Sequence, residues 1–381
     1  MIRKIVVATD SFKGSLSAPE ACRIIASQAR RVFPQAEIVL LPISDGGEGL
    51  VEVVFNALGG EQRIVQTKDP LGRDISAEYL QLADKSALIG MAEAGGLTLL
   101  EPGEYDPLRA STFGVGLMIL DAIKSGADPI YIGLGGSATV DGGAGAATAL
   151  GMHFLDDKGN QVMNGGGLQV IQSLDLCKLR ELNYSGRLVF LTDVTNPLCG
   201  PNGAAEVFGP QKGATPEQAA QLDHGLRNLA KKIEREIGLN LKEIPGMGAA
   251  GGFALPFVAF MGAEIRSGID FVLDLLRFDD KLAGSDLVIT GEGRTDAQSV
   301  MGKAISAVAR RSRTAGVRVA VISGALGEGA EKMLDLGVDD LVQATPPGQS
   351  LEDALAHAAE NLANAAGKYL LLELKKNKMS S

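Results

Sequence analysis

The sequence predicts an α/β protein in which both ends of the chain form one parallel sheet and a second α/β domain is inserted between them. Apolar strands alternate with amphipathic helices near the N-terminus and again in the last third of the chain. These strands are apolar throughout, as in parallel sheets that are covered on both faces. The length of 381 residues is enough for about two domains.

The N-terminal elements follow from apolar runs bounded by capping and turn residues. Ser17 and Glu20 have the spacing of a capping box, which marks the start of a helix, and Gly59-Gly60 ends the last one. The predicted elements are a strand over residues 4–9, a helix from Ser17, a strand over 36–41 and a helix over 50–58.

The last third of the chain repeats this alternation. Its predicted elements are strands over 286–290, 317–323 and 339–343, helices over 303–315 and 330–335, and a long helix from Leu351. The middle holds predicted strands over 75–82, 87–91, 129–133 and 187–193 and helices over 112–124 and 215–237. We therefore expect one domain of residues 1–66 and 284–381, an inserted domain of residues 67–283, and the active site in the cleft between them.

Composition excludes several functional classes. A formal net charge of -10 disfavours nucleic acid as a partner. The three Cys and three His residues lack the spacing of metal ligands, which disfavours a zinc enzyme or a His-based triad. No apolar run resembles an export signal or a membrane span. The sequence thus predicts a cytoplasmic protein with no membrane partner, and it leaves the oligomeric state open.

The segment over 133–145, GLGGSATVDGGAG, is rich in glycine and follows a predicted strand. Each glycine in regular structure costs roughly 0.5–1 kcal/mol, so a loop is the better assignment. Bare backbone N–H groups can approach an anion there, with Ser137 and Thr139 as hydroxyl donors. A merely tight turn is the alternative.

Two other functions compete at this point. Gly133, Gly135 and Ala138 match a dinucleotide-binding pattern, with Asp156 or Asp157 as the ribose-binding acid, which would suit an NAD(P)-dependent dehydrogenase of a small hydroxy acid. A non-catalytic two-domain binding protein is the other alternative. No Walker A spacing occurs in the chain.

Charged residues follow several of the predicted strands. The carboxyl ends of parallel strands face the crevice in which open α/β sheets bind ligands. The residues concerned are Asp10, Ser11 and Lys13 after the first strand, Asp45 and Glu48 after the second, and Glu292, Arg294 and Asp296 after the strand over 286–290. For Asp45 and Glu48 the alternative is a favourable position near a helix N-terminus, and for Lys13 it is an ordinary surface ammonium.

Asp193 follows a strand of the inserted domain. It is either a turn or N-cap aspartate or a catalytic carboxylate. Lys212 lies in a glycine-containing segment beyond it. Glycine-lined anion loops, carboxylates and a few cations are together the parts that phosphoryl transfer needs, since its catalysis is mostly positioning and charge neutralisation.

These residues form motifs that resemble those of the bacterial glycerate kinases, the enzymes of glycerate, galactarate and glucarate catabolism. Val140 stands where the family motif has asparagine. The matching motifs are DSFKGSLSA (10–18), DGGEG (45–49), GGSATVDGG (135–143), DVTNPLCGPNGAA (193–205), FGPQKGA (208–214) and ITGEGRTD (289–296).

The resemblance implies a Rossmann-like, flavodoxin-like domain formed by both chain ends, with an inserted second α/β domain. It also implies ATP- and Mg²⁺-dependent phosphorylation of D-glycerate, on the 2-hydroxyl, to 2-phosphoglycerate and ADP.

Roles for single residues follow as hypotheses. We expect Lys13 and Arg294 to neutralise the glycerate carboxylate and the transferring phosphoryl group, with Asp10 and Ser11 as further substrate contacts. We expect Mg²⁺ at Asp45, Glu48 and Glu292, with Asp296 as a further candidate ligand. The expected general base is Asp193, with Asp296 as the residue that could exchange roles with it. The expected ATP-phosphate contacts are Gly135, Gly136, Ser137, Ala138, Thr139, Asp141, Gly142, Gly143 and Lys212.

Overall fold

The computed structural model describes residues 2–47, 49–182, 184, 186–297, 299 and 304–379. Among them the strands are β1 (Lys4–Val7), β2 (Glu37–Leu40), β3 (Glu61–Lys68), β4 (Asp74–Gln81), β5 (Ala87–Gly90), β6 (Ile130–Gly133), β7 (His153–Leu155), β8 (Ser173–Asp175), β9 (Leu188–Leu191), β10 (Glu264–Arg266), β11 (Leu287–Thr290), β12 (Arg294–Thr295), β13 (Arg318–Ser323), β14 (Ala325–Leu326) and β15 (Asp340–Gln343). The helices are α1 (Ala18–Val32), α2 (Leu50–Leu58), α3 (Ala92–Gly95), α4 (Phe113–Lys124), α5 (Ala144–Ala149), α6 (Cys177–Leu182), α7 (Ala204–Phe208), α8 (Pro216–Ile237), α9 (Leu255–Met261), α10 (Gly268–Leu275), α11 (Phe278–Leu282), α12 (Ala304–Thr314), α13 (Leu351–Ala356) and α14 (Ala358–Met379).

The chain divides into two compact units. The first comprises Met1–Asp45, Glu52–Ala57 and Gly268–Ser381, and the second Gly46–Val51 and Leu58–Ser267. The expected junctions near 66 and 284 differ from these bounds. Strand β3 pairs with β4 in the sheet of the second unit, and α10 and α11 both pack against α12 of the first unit, so pairing and packing extend each unit beyond the expected junction.

The first unit contains a parallel sheet built from both chain ends, which confirms the predicted fold class. Its strand order is β15-β13-β11-β1-β2, and every pair is parallel. Numbered within the unit, this is the flavodoxin-like order 2-1-3-4-5, whose switch point lies between β1 and β11. On one face Ile5, Val7 and Ile289 pack into a core with Ile25 of α1 and Leu362 of α14.

The second unit contains a mixed six-stranded sheet of order β10-β9-β6-β5-β4-β3. The four strands from β10 to β5 are parallel, β4 is antiparallel to β5, and β3 is antiparallel to β4. Strand β3 is not predicted from the sequence, because its residues EQRIVQTK are mostly polar, and it lies at the sheet edge. The core of this unit includes the packed rings of Phe190, Phe253 and Phe257.

Two predicted helices differ from the structure. The helix expected from Leu351 is two helices, α13 and α14, with a break at His357, whose φ of -109° and ψ of 19° are not helical. The short helix expected over 330–335 is a 3₁₀ turn over Ala330–Met333. The start of the helix predicted over 303–315 lies outside the described residues.

Within the described chain, no helix combines the length and apolarity needed to cross a bilayer.

Candidate functional site

The loops after β1 and β11 lie side by side at the switch point of the first sheet. The Asp10 N–H donates to the Gly291 carbonyl at 2.9 Å, and a Cβ at Gly291 would overlap the Ile322 carbonyl, so only glycine fits there. A cavity of about 460 Å³ opens beside these loops. Six residues expected at the site line it: Asp10, Ser11, Lys13, Asp45, Glu292 and Arg294. Glu48 lies outside the described residues.

The carboxyl group of Asp10, on the wall of this cavity, is strongly perturbed. Burial and, to a lesser extent, the negative charges of Asp45 and Glu292 raise the pKa of Asp10 to about 8. The hydrogen bond from the Ser11 N–H and the positive charge of Lys13 act in the opposite direction and lower the pKa. The Ser11 N–H donates to Asp10 Oδ1 at 2.6 Å. Asp45 and Glu292 thus lie close enough to Asp10 for their charges to act on its carboxyl group.

The Asp10 pKa predicts a pH dependence of stability. The folded-state pKa lies above the ordinary value of 3.8, so the stability that protonated Asp10 contributes is present at low pH and is lost as the pH rises through about 8. Asp10→Asn stays neutral, and we expect its free energy of unfolding to rise relative to wild type between pH 5 and pH 9, by at most ~1.4 kcal/mol per pH unit. Urea denaturation at pH 5, 7 and 9 measures the difference.

Asp156→Asn is the control for that experiment. Hydrogen bonds from Asn160 hold the pKa of the exposed Asp156 below its ordinary value, so this variant should not gain stability as the pH rises. A constant difference between Asp10→Asn and wild type across the three pH values would contradict the raised pKa.

The loop after β11 holds Glu292 and Arg294 in place. Glu292 Oε1 accepts hydrogen bonds from Thr295 Oγ1 at 3.2 Å and from Ser299 Oγ at 2.5 Å. Strand β12 pairs with β14, which fixes the backbone of Arg294, and Arg294 Nε donates to Asp296 Oδ2 at 3.2 Å. In the described part of the chain, no three His, Cys, Asp or Glu side chains form a ready metal cluster.

In the second unit the glycine-rich loop follows β6, as predicted, and is anchored on Asp141. This carboxylate is fully buried. Asp141 Oδ2 accepts hydrogen bonds from the Thr112 N–H at 2.8 Å, from Thr112 Oγ1 at 2.7 Å and from the Gly145 N–H at 3.2 Å, and Oδ1 accepts one from the Gly143 N–H at 3.1 Å. Burial raises the pKa of Asp141, and these donors oppose the shift.

Lys212 holds the other part of the loop. Its side chain is buried, with 2% of the residue exposed, and its Nζ donates to Ser137 Oγ and to the Thr139 carbonyl, both at 2.7 Å. Burial lowers the pKa of Lys212 to about 7, while the charge of Asp141 acts in the opposite direction. The Thr139 hydroxyl is buried without a hydrogen-bond partner.

Several loop residues that we expected at ATP phosphates use their N–H groups within the chain. The Ala138 N–H donates to the Gly95 carbonyl at 2.8 Å, the Gly142 N–H to the Gly251 carbonyl at 3.0 Å, and the Gly143 N–H to Asp141. At Gly143, φ is +72° and a Cβ would overlap the Phe253 carbonyl. These glycines thus allow close backbone packing. The number of glycines in a sequence cannot distinguish this role from anion binding.

Asp193 follows β9 in the second unit and is half-buried. Its Oδ1 accepts a hydrogen bond from Ser267 Oγ at 2.7 Å.

The structure disfavours the dehydrogenase alternative, because β7, the strand after the glycine-rich loop, pairs antiparallel with β8 outside the main sheet. Asp156, the expected ribose-binding acid, accepts hydrogen bonds from Lys158 and Asn160 in a turn.

Three groups of residues that shape these sites are not predicted from the sequence. Thr112 was only the predicted start of a helix, although it binds Asp141. Ser299, which binds Glu292, gave no signal. Gln349, Leu351 and Asn361 line the cavity of the first unit, and no motif marks them because they lie far along the chain from the loops that form the rest of its wall.

Comparison with known proteins gives a consistent result. A family model described as the glycerate kinase family matches residues 5–372. The chain is 42% identical over 364 residues to a glycerate kinase of Halalkalibacterium halodurans, covering 95% of this chain and 96% of the relative. It is 40% identical over 365 residues to the glycerate 2-kinase of Escherichia coli, with coverage of 95% and 96%. A crystal structure described as a glycerate kinase 2 of Salmonella typhimurium matches with a TM-score of 0.84 and 40% identity, over the full length of both chains. The chain therefore belongs to the glycerate kinase family and is an enzyme.

Proposed function

We propose that this enzyme transfers the γ-phosphoryl group of ATP to the 2-hydroxyl of D-glycerate, giving 2-phosphoglycerate and ADP. The bond from the γ-phosphorus to the bridging oxygen breaks, the bond to the glycerate oxygen forms, and the hydroxyl proton passes to a base. The observation that carries the proposal is the set of carboxylates and cations around one cavity at the switch point, in a chain of this family. The name of the Escherichia coli relative, glycerate 2-kinase, supports the choice of hydroxyl.

Lys13 and Arg294 are the cations of this cavity, and we assign them the glycerate carboxylate and the charge of the transferring group. Arg294 presents a planar guanidinium, which suits bidentate contact with a carboxylate or phosphate, and Lys13 provides a point charge. Asp10 and Ser11 are adjacent on the cavity wall, and we assign them further contacts with the hydroxyls of glycerate.

The donor set of the cavity fits Mg²⁺ bound together with a phosphate. Mg²⁺ prefers oxygen ligands and is usually held by one or two carboxylates plus water and substrate phosphates, so a ready three-carboxylate cluster is not required. Burial is the main cause of the raised pKa of Asp10, and the negative charges of Asp45 and Glu292 add to it, so their charge would favour a divalent cation beside them. We assign Asp45 and Glu292 to Mg²⁺, with Glu48 as the third expected ligand. When bound, the ion neutralises phosphate charge.

The glycine-rich loop is our proposed contact for the ATP phosphates. Gly135 and Gly136 are partly or fully exposed, and Ser137 adds a hydroxyl that is already held by Lys212. Two further groups would favour the binding of an anion at this loop: the adjacent ammonium of Lys212, and the Thr139 hydroxyl, which is buried without a hydrogen-bond partner. In this proposal Ala138, Asp141, Gly142 and Gly143 shape the loop from within.

A coupled assay of ADP release tests the function directly. We expect D-glycerate to support turnover, L-glycerate and other small hydroxy acids to support far less, and removal of Mg²⁺ with EDTA to abolish it. Phosphorus NMR of the product distinguishes 2-phosphoglycerate from 3-phosphoglycerate. Formation of the 3-phosphate would overturn the assigned hydroxyl, and an absence of ADP release with D-glycerate would overturn the proposed reaction.

A further inference from the structure

The cavity of the first unit has an apolar side that the proposed contacts with glycerate, Mg²⁺ and phosphate do not use. Its residues come from α13 and the first residue of α14: Leu351, Ala354, Leu355 and Ala358. Within α13, Leu351, Ala354 and Leu355 are three and four residues apart, which is the spacing of one helical face, and Ala358 follows the break at His357. The charged residues of the same cavity come instead from the loops after β1, β2 and β11.

Two large side chains on this face are left uncovered. Leu351 is 75% exposed and Leu355 is 40% exposed. Covering apolar surface is favourable by about 25 cal/mol per Å², so a ligand with an apolar face would gain affinity here. D-Glycerate does not provide such a face, because each of its three carbons carries oxygen.

A held amide group lies beside the apolar side chains. Asn361 lines the cavity and is 8% exposed. Its Nδ2 donates to Gln349 Oε1 at 3.0 Å, and Gln349 Nε2 donates to the Asp353 carbonyl at 3.3 Å. This arrangement fixes the amide and leaves Asn361 Oδ1 as a hydrogen-bond acceptor for a polar ligand edge.

We propose that the apolar side formed by Leu351, Ala354, Leu355 and Ala358 binds the adenine ring of ATP. A purine has apolar faces and a hydrogen-bonding edge with an exocyclic amine, which matches leucine side chains next to an amide oxygen. Lys13 and Arg294 at the same cavity complement the charge of the transferring γ-phosphoryl group. The volume of about 460 Å³ lies within the usual range for ligands of this size. The inference rests on the proposed ATP-dependent activity and adds the residues that bind the nucleoside.

Isothermal titration of ADP and of inorganic tripolyphosphate, each with Mg²⁺, tests the proposal. Tripolyphosphate carries the phosphates without a base. We expect Leu355→Ser to weaken ADP binding about tenfold, equivalent to ~1.4 kcal/mol, and to leave the affinity for tripolyphosphate unchanged. The KM for ATP should rise, while the KM for D-glycerate stays the same. Leu371→Ser is the matched control, because Leu371 is 45% exposed on α14 and is not part of the cavity wall.

Leu351→Ser provides a second variant with little risk to folding, since Leu351 is largely exposed. We again expect weaker binding of ADP and an unchanged affinity for tripolyphosphate. Saturation-transfer NMR from leucine methyl groups to the adenine ring protons should give a signal in wild type that weakens in both variants. Unchanged ADP affinity in both, or an equal loss for ADP and tripolyphosphate, would overturn the adenine site while the wild-type enzyme still phosphorylates D-glycerate. Failure of wild type to release ADP would instead refute the proposed function.

Discussion

Replacing Lys212 with methionine is expected to destabilise the second unit by about 3 kcal/mol and to remove most of the activity. The change leaves Ser137 Oγ and the Thr139 carbonyl without their buried donor, and each buried unsatisfied group costs about 1–3 kcal/mol. It also removes the ammonium on which the charge of the buried Asp141 acts. Because both lost hydrogen bonds are to the glycine-rich loop, the expected phosphate contacts lose their support.

The pH dependence of this effect has a defined sign. The pKa of Lys212 is lowered to about 7 from an ordinary value of 10.5, so its stability contribution is present at high pH and is lost as the pH falls through about 7. The destabilisation by Lys212→Met should therefore be larger at pH 9 than at pH 7 in urea denaturation. Thr139→Val is the control: it removes a buried hydroxyl with no partner and should be neutral or slightly stabilising. Wild-type stability of Lys212→Met at pH 9 would contradict the role of the Lys212 amine as the buried donor to the loop.

Asp193→Asn is expected to lower kcat by about 10²–10⁴-fold, the usual contribution of a general base. Asparagine keeps the size of the side chain but cannot accept the hydroxyl proton. Binding of ADP, measured by titration, should change little, because the proposal places no nucleotide contact at Asp193. Loss of kcat without loss of nucleotide affinity separates a base from a binding residue.

Two further variants make this test specific. Ser267→Ala removes the hydroxyl that donates to Asp193 Oδ1, and we expect a loss of about tenfold or less in kcat, because orientation weakens but the base remains. Asp296→Asn examines the alternative base, which is ion-paired with Arg294. A fully active Asp193→Asn together with an inactive Asp296→Asn would move the role to Asp296.

Periodicity and chain order were enough to predict much of the fold. Short apolar runs such as KIVV at β1 and LVIT at β11 identified strands of a parallel sheet, because strands buried on both faces carry apolar residues throughout. Asp10 and Glu292 were expected near each other because both follow such strands, and both line one cavity. The polar edge strand β3 and the break at His357 were missed, since pairing and packing, not a local pattern, determine them.

What the sequence determined by itself is the alternation of strands and helices, the sheet formed by both chain ends, and the charged and glycine-rich segments that follow its strands. What only the tertiary structure decided is which of those groups are already used within the chain. Asp141 is bound by Thr112, 29 residues away, and Lys212 by Ser137, 75 residues away. Such partners come together through packing of distant segments, and local sequence patterns carry no information about which distant segments meet.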